Sequence, residues 1–383
     1  MILQKHYTKE VFLFSIIRDA LIASLFFTTT LYSVEYYEYD FRDKNNTFHI
    51  RGLLNPKSNQ LKLNIFDDSW DSMPVYAKDN YAFGGIYFDT YYMFDGYKLG
   101  LFAEERATIY FNDGFVKTLY YADNDFNTFL HMDDIYTKVD PTFLKGDTNA
   151  YKIKGVYLGK VFQIKQHHFL SAKLKLYVAD DVQNLFIEGT NTQERFQGTL
   201  KYYYCEENYV SNRTSDEETS QGYGYSVDIE YIYNKEKLYI YAGLLNVGGV
   251  IYWSNISKME YTFDSKTIYL GEDGYNHRKP FGVGKYQDNV SYTQYLPLFY
   301  RASLDYALFE NFSIGNNLSG YKDVVFNEPY LSFSLYKSRW KLGYMYEAKT
   351  VIFGANFNHF QVEISNNFSF SQQVMQAKVH IWF

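Results

Sequence analysis

The sequence predicts an all-β protein, a transmembrane antiparallel up-and-down β-barrel of about 16 strands, with 14 to 18 strands compatible with its length. Three observations carry this prediction. Apolar and polar side chains alternate through many short segments, polar turns separate these segments, and no segment has a long helical period. A parallel sheet built from βαβ units is therefore not expected.

The composition excludes several other classes of protein. The 383 residues include 42 Tyr and 33 Phe but a single Cys, and the formal net charge is −7. Disordered chains are poor in aromatic residues, and one Cys cannot form a disulfide within the chain. The negative charge argues against nucleic-acid binding. After the N-terminal region, no run of about 18 apolar residues exists, which excludes a bundle of membrane helices.

The N-terminal region is predicted to be a signal peptide. Lys5, Lys9 and Arg18 precede an apolar stretch over residues 20–27, and small or hydroxylated residues continue to Ser33. This order is typical of a secretory signal, so we expect residues 1–33 to be removed and residues 34–383 to form the barrel. The alternative is a single N-terminal anchor helix, although Arg18 would make a continuous span costly.

Alternation is the main signal in the rest of the chain. Around residues 172–178, Leu174 and Leu176 oppose Lys173 and Lys175, and the same period recurs up to Phe383. A soluble sandwich and a transmembrane barrel both produce this pattern. Aromatic residues at strand ends and charged residues in the middle of one strand face favour the barrel, which must close because open edges are not tolerated in lipid.

The last eleven residues, QVMQAKVHIWF, resemble the terminal strand of Gram-negative outer-membrane β-barrel proteins, of which the porin-like members are nearest in size. In that family the strand ends in Phe and is recognised by the outer-membrane barrel assembly machinery. The matching positions are Met375, Ala377, Val379, Ile381 and Phe383. The resemblance implies an outer-membrane location, contact with membrane lipid and lipopolysaccharide, and the option of a homo-oligomer.

The polar face of the strands is expected to line a pore and to set its selectivity. Basic residues fall in earlier strands and acidic residues mostly in later ones, so a basic wall opposing an acidic wall is one hypothesis, and ordinary lumen polarity is the other. The predicted pore-lining residues are Lys152, Lys154, Lys173, Lys175, Lys201, Asp228, Glu230, Arg301, Asp305, Glu347 and Glu363.

Three polar segments are predicted to be long loops, at residues 122–150, 206–221 and 271–289. The first contains apolar residues that would suit a loop folded into the lumen as a constriction. It also contains Asp123, Asp125, Asn127 and Asp134 at positions 1, 3, 5 and 12 of a possible calcium loop. That match is weak, because Thr128 stands where the turn needs Gly, and an ordinary acidic surface loop is the plainer interpretation.

No other motif indicates chemistry. The histidines lack metal-ligand spacing, and no Gly-x-Ser-x-Gly elbow is present. We therefore expect no cofactor and no enzymatic activity, with a barrel hydrolase as the remote exception.

The leading function is a porin-like channel for passive diffusion of small hydrophilic solutes. The alternatives are a carrier for hydrophobic molecules, supported by Tyr177, Tyr203 and Tyr239 if they face inward, and a structural or assembly barrel with a closed lumen.

Overall fold

A computed structural model describes residues 46–54, 57–58, 79–115, 142–191, 196–205, 207–208, 213–214, 220–264, 266, 268–270, 276–278, 282–336, 338–347, 349–357, 359–366 and 375–383. The predicted signal peptide and the weak calcium candidates Asp123, Asp125, Asn127 and Asp134 lie outside these residues. Within the described ranges, no helix is long and apolar enough to cross a membrane.

The described chain is organised as antiparallel strands. In chain order they are β1 Thr47–Leu54, β2 Lys57–Ser58, β3 Asp79–Phe94, β4 Tyr97–Asn112, β5 Thr142–Lys165, β6 His168–Asn191, β7 Phe196–Tyr204, β8 Glu207–Asn208, β9 Arg213–Thr214, β10 Gln221–Lys235, β11 Leu238–Asp264, β12 Ile268–Leu270, β13 Asn276–Arg278, β14 Gly282–Tyr295, β15 Phe299–Phe309, β16 Phe312–Tyr321, β17 Val324–Leu335, β18 Ser338–Met345, β19 Thr350–Phe357, β20 Phe360–Asn366 and β21 Met375–Trp382.

Fourteen of these strands form one closed ring, so the barrel prediction is confirmed. The ring runs β1, β3, β4, β5, β6, β10, β11, β15, β16, β17, β18, β19, β20, β21 and back to β1. At the seam, His49 pairs with Trp382, and the backbones of Phe48 and Phe383 exchange two hydrogen bonds of 3.2 and 3.0 Å. Each strand of the ring is therefore paired on both sides, as a sheet in lipid requires.

The remaining two long strands, β7 and β14, lie outside the ring, which brings the long strands to the expected 16. The reason is the length of β6 and β11, which have 24 and 27 residues. A membrane strand needs only about 9–11 residues. Beyond the ring, β7 pairs with the ends of both β6 and β11, and β14 pairs with the other edge of β11. We call this part the extension.

Four two-residue hairpins of the described chain lie at one end of the barrel, which we call the turn end, and one at residues 322–323 lies at the opposite end. Those at the turn end are at residues 95–96, 166–167, 236–237 and 310–311. Asp95 and Gly96 both have positive φ, of 43° and 76°, which is the conformation of a two-residue type I′ hairpin. Asp-Gly is a sequence that favours this type of turn. The extension lies at the opposite end.

The outer face of the ring carries an apolar band, and the inner face carries most of the charge. Exposed leucine and valine side chains cover the middle of neighbouring strands, among them Leu99, Leu101, Val156, Leu158, Leu174, Leu176, Leu304, Leu331 and Leu342. This inversion of an ordinary soluble core matches a transmembrane barrel and does not fit a packed sandwich.

The C-terminal strand follows the predicted alternation. Val379 of β21 and Phe383, the residue after this strand, are exposed on the outer face, whereas Lys378 and His380 are buried in the interior. Recognition of this strand by an assembly machinery stays a prediction.

All three predicted loops are partly strand. Residues 206–221 contain the short β8 and β9 and the first residue of β10, and residues 271–289 contain β13. Residues 142–150 begin β5, and residues 282–289 begin β14. Both stretches are rich in polar residues because they lie beyond the apolar band, where the outward face of a strand meets water. Polarity alone made them resemble loops.

Candidate functional site

The interior of the barrel gathers most of the predicted pore-lining residues. Lys173, Lys175, Asp228, Glu230, Arg301 and Glu363 are buried on the inner face, and Asp305 is half-buried there. Lys173, Lys175 and Asp228 contact one another, whereas Asp305 and Glu363 line a cavity at one end of the barrel.

Three of the predicted residues face the wrong way for a pore. Lys152, Lys154 and Lys201 are exposed on the outer face, where Lys154 pairs with Asp180 at 2.8 Å. They lie beyond the apolar band, on β5 and in the extension. At that level the outward face is wet and the apolar side chains, such as Ile153, point inward, so the rule that polar residues face the lumen is reversed.

Glu347 lies at the rim of the barrel. It lies two residues after the end of β18, and its carboxylate accepts a 2.9 Å hydrogen bond from the backbone N–H of Asn327. This contact fixes the connection between β18 and β19 rather than lining a passage.

The first feature of the interior is a set of buried ion pairs between neighbouring strands. Asp228 of β10 contacts Lys173 and Lys175 of β6, at 3.4 and 3.1 Å. Asn246 completes this group, because its backbone N–H donates to Asp228 and its side-chain oxygen accepts from Lys175 at 2.8 Å. Asn246 has a φ of 60°, within an irregular stretch of β11 that turns its side chain inward.

A second ion pair lies next to the seam. Arg51 of β1 forms two hydrogen bonds with Asp89 of β3, the first from Nε to Oδ1 at 2.8 Å. Asp89 Oδ2 also accepts from the hydroxyls of Tyr87 and Tyr157, at 3.1 and 2.8 Å. Arginine is suited to such a two-pronged contact, and the tyrosine hydroxyls satisfy the remaining acceptor capacity.

A third group lies across the barrel. Lys341 of β18 contacts Glu328 and, at 3.2 Å, Glu363, and its ammonium lies 4.6 Å from the centre of the Tyr330 ring. We call these three groups together the ionic layer, comprising Arg51, Asp89, Lys173, Lys175, Asp228, Glu328, Lys341 and Glu363.

The hypothesis of two opposed walls is wrong for the residues in this layer. Lys173 pairs directly with Asp228 across the β6–β10 ladder, so the opposite charges are neighbours. Their fields cancel over a few ångströms instead of crossing the lumen.

The second feature is an aromatic lining between the ionic layer and the extension. One buried cluster joins rings from β3, β4, β5, β6 and β11, and a second joins rings from β3, β15, β16 and β17. The aromatic lining consists of the rings of both clusters, which are Tyr81, Phe83, Tyr87, Tyr91, Phe102, Tyr151, Tyr157, Tyr177, Trp253, Phe299, Tyr321 and Phe326. Most are less than 5% exposed, so side chains of the wall fill this part of the interior.

Polar groups in the extension hold the outer end of this lining. Trp253 Nε1 donates to Gln294 at 2.9 Å, and Asn184 donates to the Tyr292 hydroxyl at the same distance. Tyr292 stacks on Tyr203, with ring centres 4.0 Å apart. Burial raises the pKa of Tyr292 to about 12, so its phenol stays protonated at physiological pH. Buried aromatic residues with satisfied polar edges form a rigid lining.

The third feature is a cavity of about 530 Å³ at the turn end of the barrel. Lys341 and Glu363 of the ionic layer contribute to its wall. The interior thus changes from aromatic, through charged, to an open polar cavity along the barrel axis.

Several interior residues were missed by the sequence reasoning. Asp89 alternates with Tyr87 and Tyr91, a signal that was available, and Arg51 lies in the segment TFHIRGLL. Asn246 gave no signal, because an irregularity within a strand is not visible in a period of two. Among the described residues, no group of three or more His, Cys, Asp and Glu side chains is placed to hold a metal ion.

Comparison with protein-family models gives no match, and comparison with curated proteins gives none. Among solved structures, the chain is similar to a deletion mutant of the TodX monoaromatic hydrocarbon channel, with a TM-score of 0.42, 10% identity and 89% of each chain covered. It is also similar to the toluene transporter TodX of P. putida, with a TM-score of 0.38, 9% identity and 89% of each chain covered. A third similar structure is the toluene transporter TbuX of Ralstonia pickettii, with a TM-score of 0.28, 10% identity and 88% of each chain covered. Similarity at this level assigns neither a family nor a function to the chain.

Proposed function

We propose that the protein carries small apolar molecules, aromatic ones above all, across the outer membrane of a Gram-negative bacterium. The observation that supports this proposal is the aromatic lining inside a closed barrel. It favours the hydrophobic carrier over the porin-like channel that the polar strand faces first indicated.

This interior is unfavourable for the passage of a hydrophilic solute. A diffusion channel for such solutes needs a hydrated lumen that exchanges water for weak polar contacts. Here Tyr157, Phe102 and their neighbours exclude water, and the charged groups of the ionic layer are already paired with one another. A polar solute would have to give up its hydration among aromatic rings before reaching any polar partner.

An apolar aromatic molecule gains from the same surface. Burying an aromatic ring of the size of a Phe or Trp side chain removes 150–250 Å² from water, which is worth about 4–6 kcal/mol. Ring-to-ring contacts such as the one between Phe102 and Tyr177, whose centres lie 6.1 Å apart and perpendicular, are available for a guest ring to replace.

The outer-membrane location is inferred from the barrel itself. A closed antiparallel ring with an apolar band on its outer face is the structure that crosses this membrane. In the orientation typical of this class, the turn end faces the periplasm and the extension faces outward.

Uptake by whole cells tests the proposal, because the lipopolysaccharide leaflet slows apolar solutes that simple vesicles let pass. Gram-negative cells with and without the protein are compared for uptake of radiolabelled ethylbenzene and for entry of a hydrophilic β-lactam. We expect the protein to raise ethylbenzene uptake and to leave β-lactam entry unchanged. Correctly assembled protein that raises only β-lactam entry, or neither, would reject the carrier.

A pair of variants assigns the effect to the interior. Phe102→Asn places an amide in the aromatic lining and is expected to lower ethylbenzene uptake. Phe143→Asn makes the same change at an exposed position on β5 beyond the apolar band and is expected to leave uptake unchanged. Equal behaviour of the two variants would contradict a role for the lining.

A further inference from the structure

We propose that the cavity at the turn end is a binding site for neutral aromatic molecules that carry a hydroxyl group, that is, for phenols. This inference rests on the proposed function and narrows its substrate class. At about 530 Å³, the cavity is in the size range of ligand sites in proteins.

One wall of the cavity is a fixed polar network around Asp305 of β15. The carboxylate accepts hydrogen bonds from the Tyr330 hydroxyl at 3.0 Å and from the Ser313 hydroxyl at 3.0 Å. Arg339 of β18 donates through Nη2 to both carboxylate oxygens, at 3.1 and 3.0 Å. A side chain held by so many partners keeps its position when a ligand arrives, which lowers the entropic cost of binding.

Arg339 offers the open donor of this network. Its Nε donates to Ser332 at 3.0 Å and its Nη2 to Ser313 at 2.7 Å, which orients the guanidinium plane. The side chain is nevertheless 50% exposed, whereas Asp305 is 14% exposed. The guanidinium has five N–H groups, and its Nη1 makes no hydrogen bond to any described residue, so it can donate to a ligand oxygen in the cavity.

The charged groups that line the cavity have no excess of positive charge. The carboxylates of Asp305 and Glu363 contact Arg339 and Lys341, and the exposed Glu236, Lys237 and Glu310 at the hairpins leave one negative charge in excess. An anionic ligand would therefore meet like charge and would still have to leave water. A neutral ligand avoids that cost, and a hydroxyl group can both donate to a carboxylate and accept from Arg339.

Aromatic side chains supply the apolar part of the site. The cavity is lined by the indole of Trp382, on β21, and by the ring of Tyr330, which belongs to the polar network. A phenol matches both components, since its ring can contact these side chains while its hydroxyl reaches Asp305 or Arg339. A plain hydrocarbon would leave the network without a partner, and a benzoate would add an unbalanced negative charge.

Titration of the purified protein in detergent tests the ligand class. p-Cresol, toluene and p-toluate have similar shapes and are compared by calorimetry and by quenching of tryptophan fluorescence. We expect p-cresol to bind about tenfold more tightly than toluene, which is the effect of roughly one net hydrogen bond, and p-toluate to bind least. We expect Trp382→Phe to remove most of the p-cresol quenching. Equal affinity for p-cresol and toluene, or preference for p-toluate, would overturn the proposal.

Asp305→Asn sharpens the test, because it keeps the shape of the side chain and frees the charge of Arg339. We expect p-cresol affinity to fall several-fold and p-toluate affinity to rise above that of p-cresol. Asp180→Asn makes the same change in the ion pair with Lys154 on the outer face and is the matched control. An Asp305→Asn protein that keeps the original ligand order would contradict the role of the network.

The two proposals fail differently. If cells take up ethylbenzene but p-cresol binds no better than toluene, the carrier stands and the phenol site is wrong. If p-cresol binds as expected but no aromatic molecule is taken up, the site stands and the carrier is wrong.

Discussion

Asp228 of β10 lies between two lysines of β6, and its carboxylate contacts both ammonium groups, at 3.4 and 3.1 Å. Lys173, Lys175 and Asp228 are each 5% exposed or less, and they approach across adjacent strands. Water cannot replace a lost partner at such a depth. The ionic layer therefore depends on each of its members, unlike the exposed pair between Lys154 and Asp180.

Removing Asp228 should be strongly destabilising. Asp228→Ala removes the carboxylate that both buried ammonium groups contact, and breaking a buried pair in this way costs about 3–5 kcal/mol. We expect a clear loss in the urea midpoint of the protein folded in detergent micelles, followed by tryptophan fluorescence.

The matched control is Asp180→Ala, which removes one partner of a pair that is 36% and 62% exposed. Exposed pairs contribute about 1 kcal/mol or less, so this midpoint should hardly move. Similar losses in the two variants would show that the ionic layer is hydrated rather than closed.

At this scale, the sequence predicted which residue types line the interior but not their depth. Lys173 and Lys175 alternate with leucines in a segment that crosses the apolar band, so the period of two placed them correctly. Lys152, Lys154 and Lys201 show a similar alternation farther along their strands, where water instead of lipid lies outside. A single sequence does not show where along a strand the apolar band ends. Within the band the polar residues of a strand face the interior, and beyond it they face outward.

The strands themselves are the next scale, and their lengths exceed what a membrane needs. β5 and β6 have 24 residues each and β11 has 27. The surplus forms the extension and accepts β7 and β14 as extra partners. Counting alternating segments gave the right number of long strands, but only pairing decides which of them belong to the ring. The C-terminal strand needed no such information, because its period continues to the last residue.

Phe383 provides a test of the predicted assembly signal. Its side chain is 71% exposed, and its backbone bonds with Phe48 do not require the ring. Phe383→Ala should therefore lower the amount of protein inserted in the outer membrane of cells without changing the urea midpoint of protein refolded in detergent. The measurements are quantitative blotting of outer-membrane fractions and the same unfolding assay.

Tyr336 supplies the comparison for Phe383. It is an exposed aromatic residue in the turn-end hairpin between β17 and β18, away from the terminus. Tyr336→Ala should leave insertion in cells unchanged. Equal insertion of the Phe383 and Tyr336 variants would remove the signal hypothesis, and an equal fall in both would point to general damage at the turn end.

At the scale of the whole molecule, the apolar band decides where the protein resides. Across the apolar band, the aliphatic side chains of the ring point outward and its charged side chains point inward. Such a distribution is stable only if the medium outside is itself apolar. The extension differs, since the outer face of β14 carries polar residues over most of its length.

Two arginine substitutions measure this difference directly. Leu174 and Val283 are both exposed aliphatic residues, at 46% and 60%, but Leu174 lies in the middle of the apolar band and Val283 in the extension. An arginine near the bilayer midplane costs about 2–4 kcal/mol, and one near or beyond the interface costs at most about 1 kcal/mol. Leu174→Arg should therefore lower the stability of the protein in phosphatidylcholine vesicles by the larger amount, and Val283→Arg should leave it almost unchanged, as measured by urea titration. Because neither side chain takes part in internal packing of the barrel, a similar effect at both positions would mean that the band is not in contact with lipid, and the membrane orientation assigned to the barrel would be wrong.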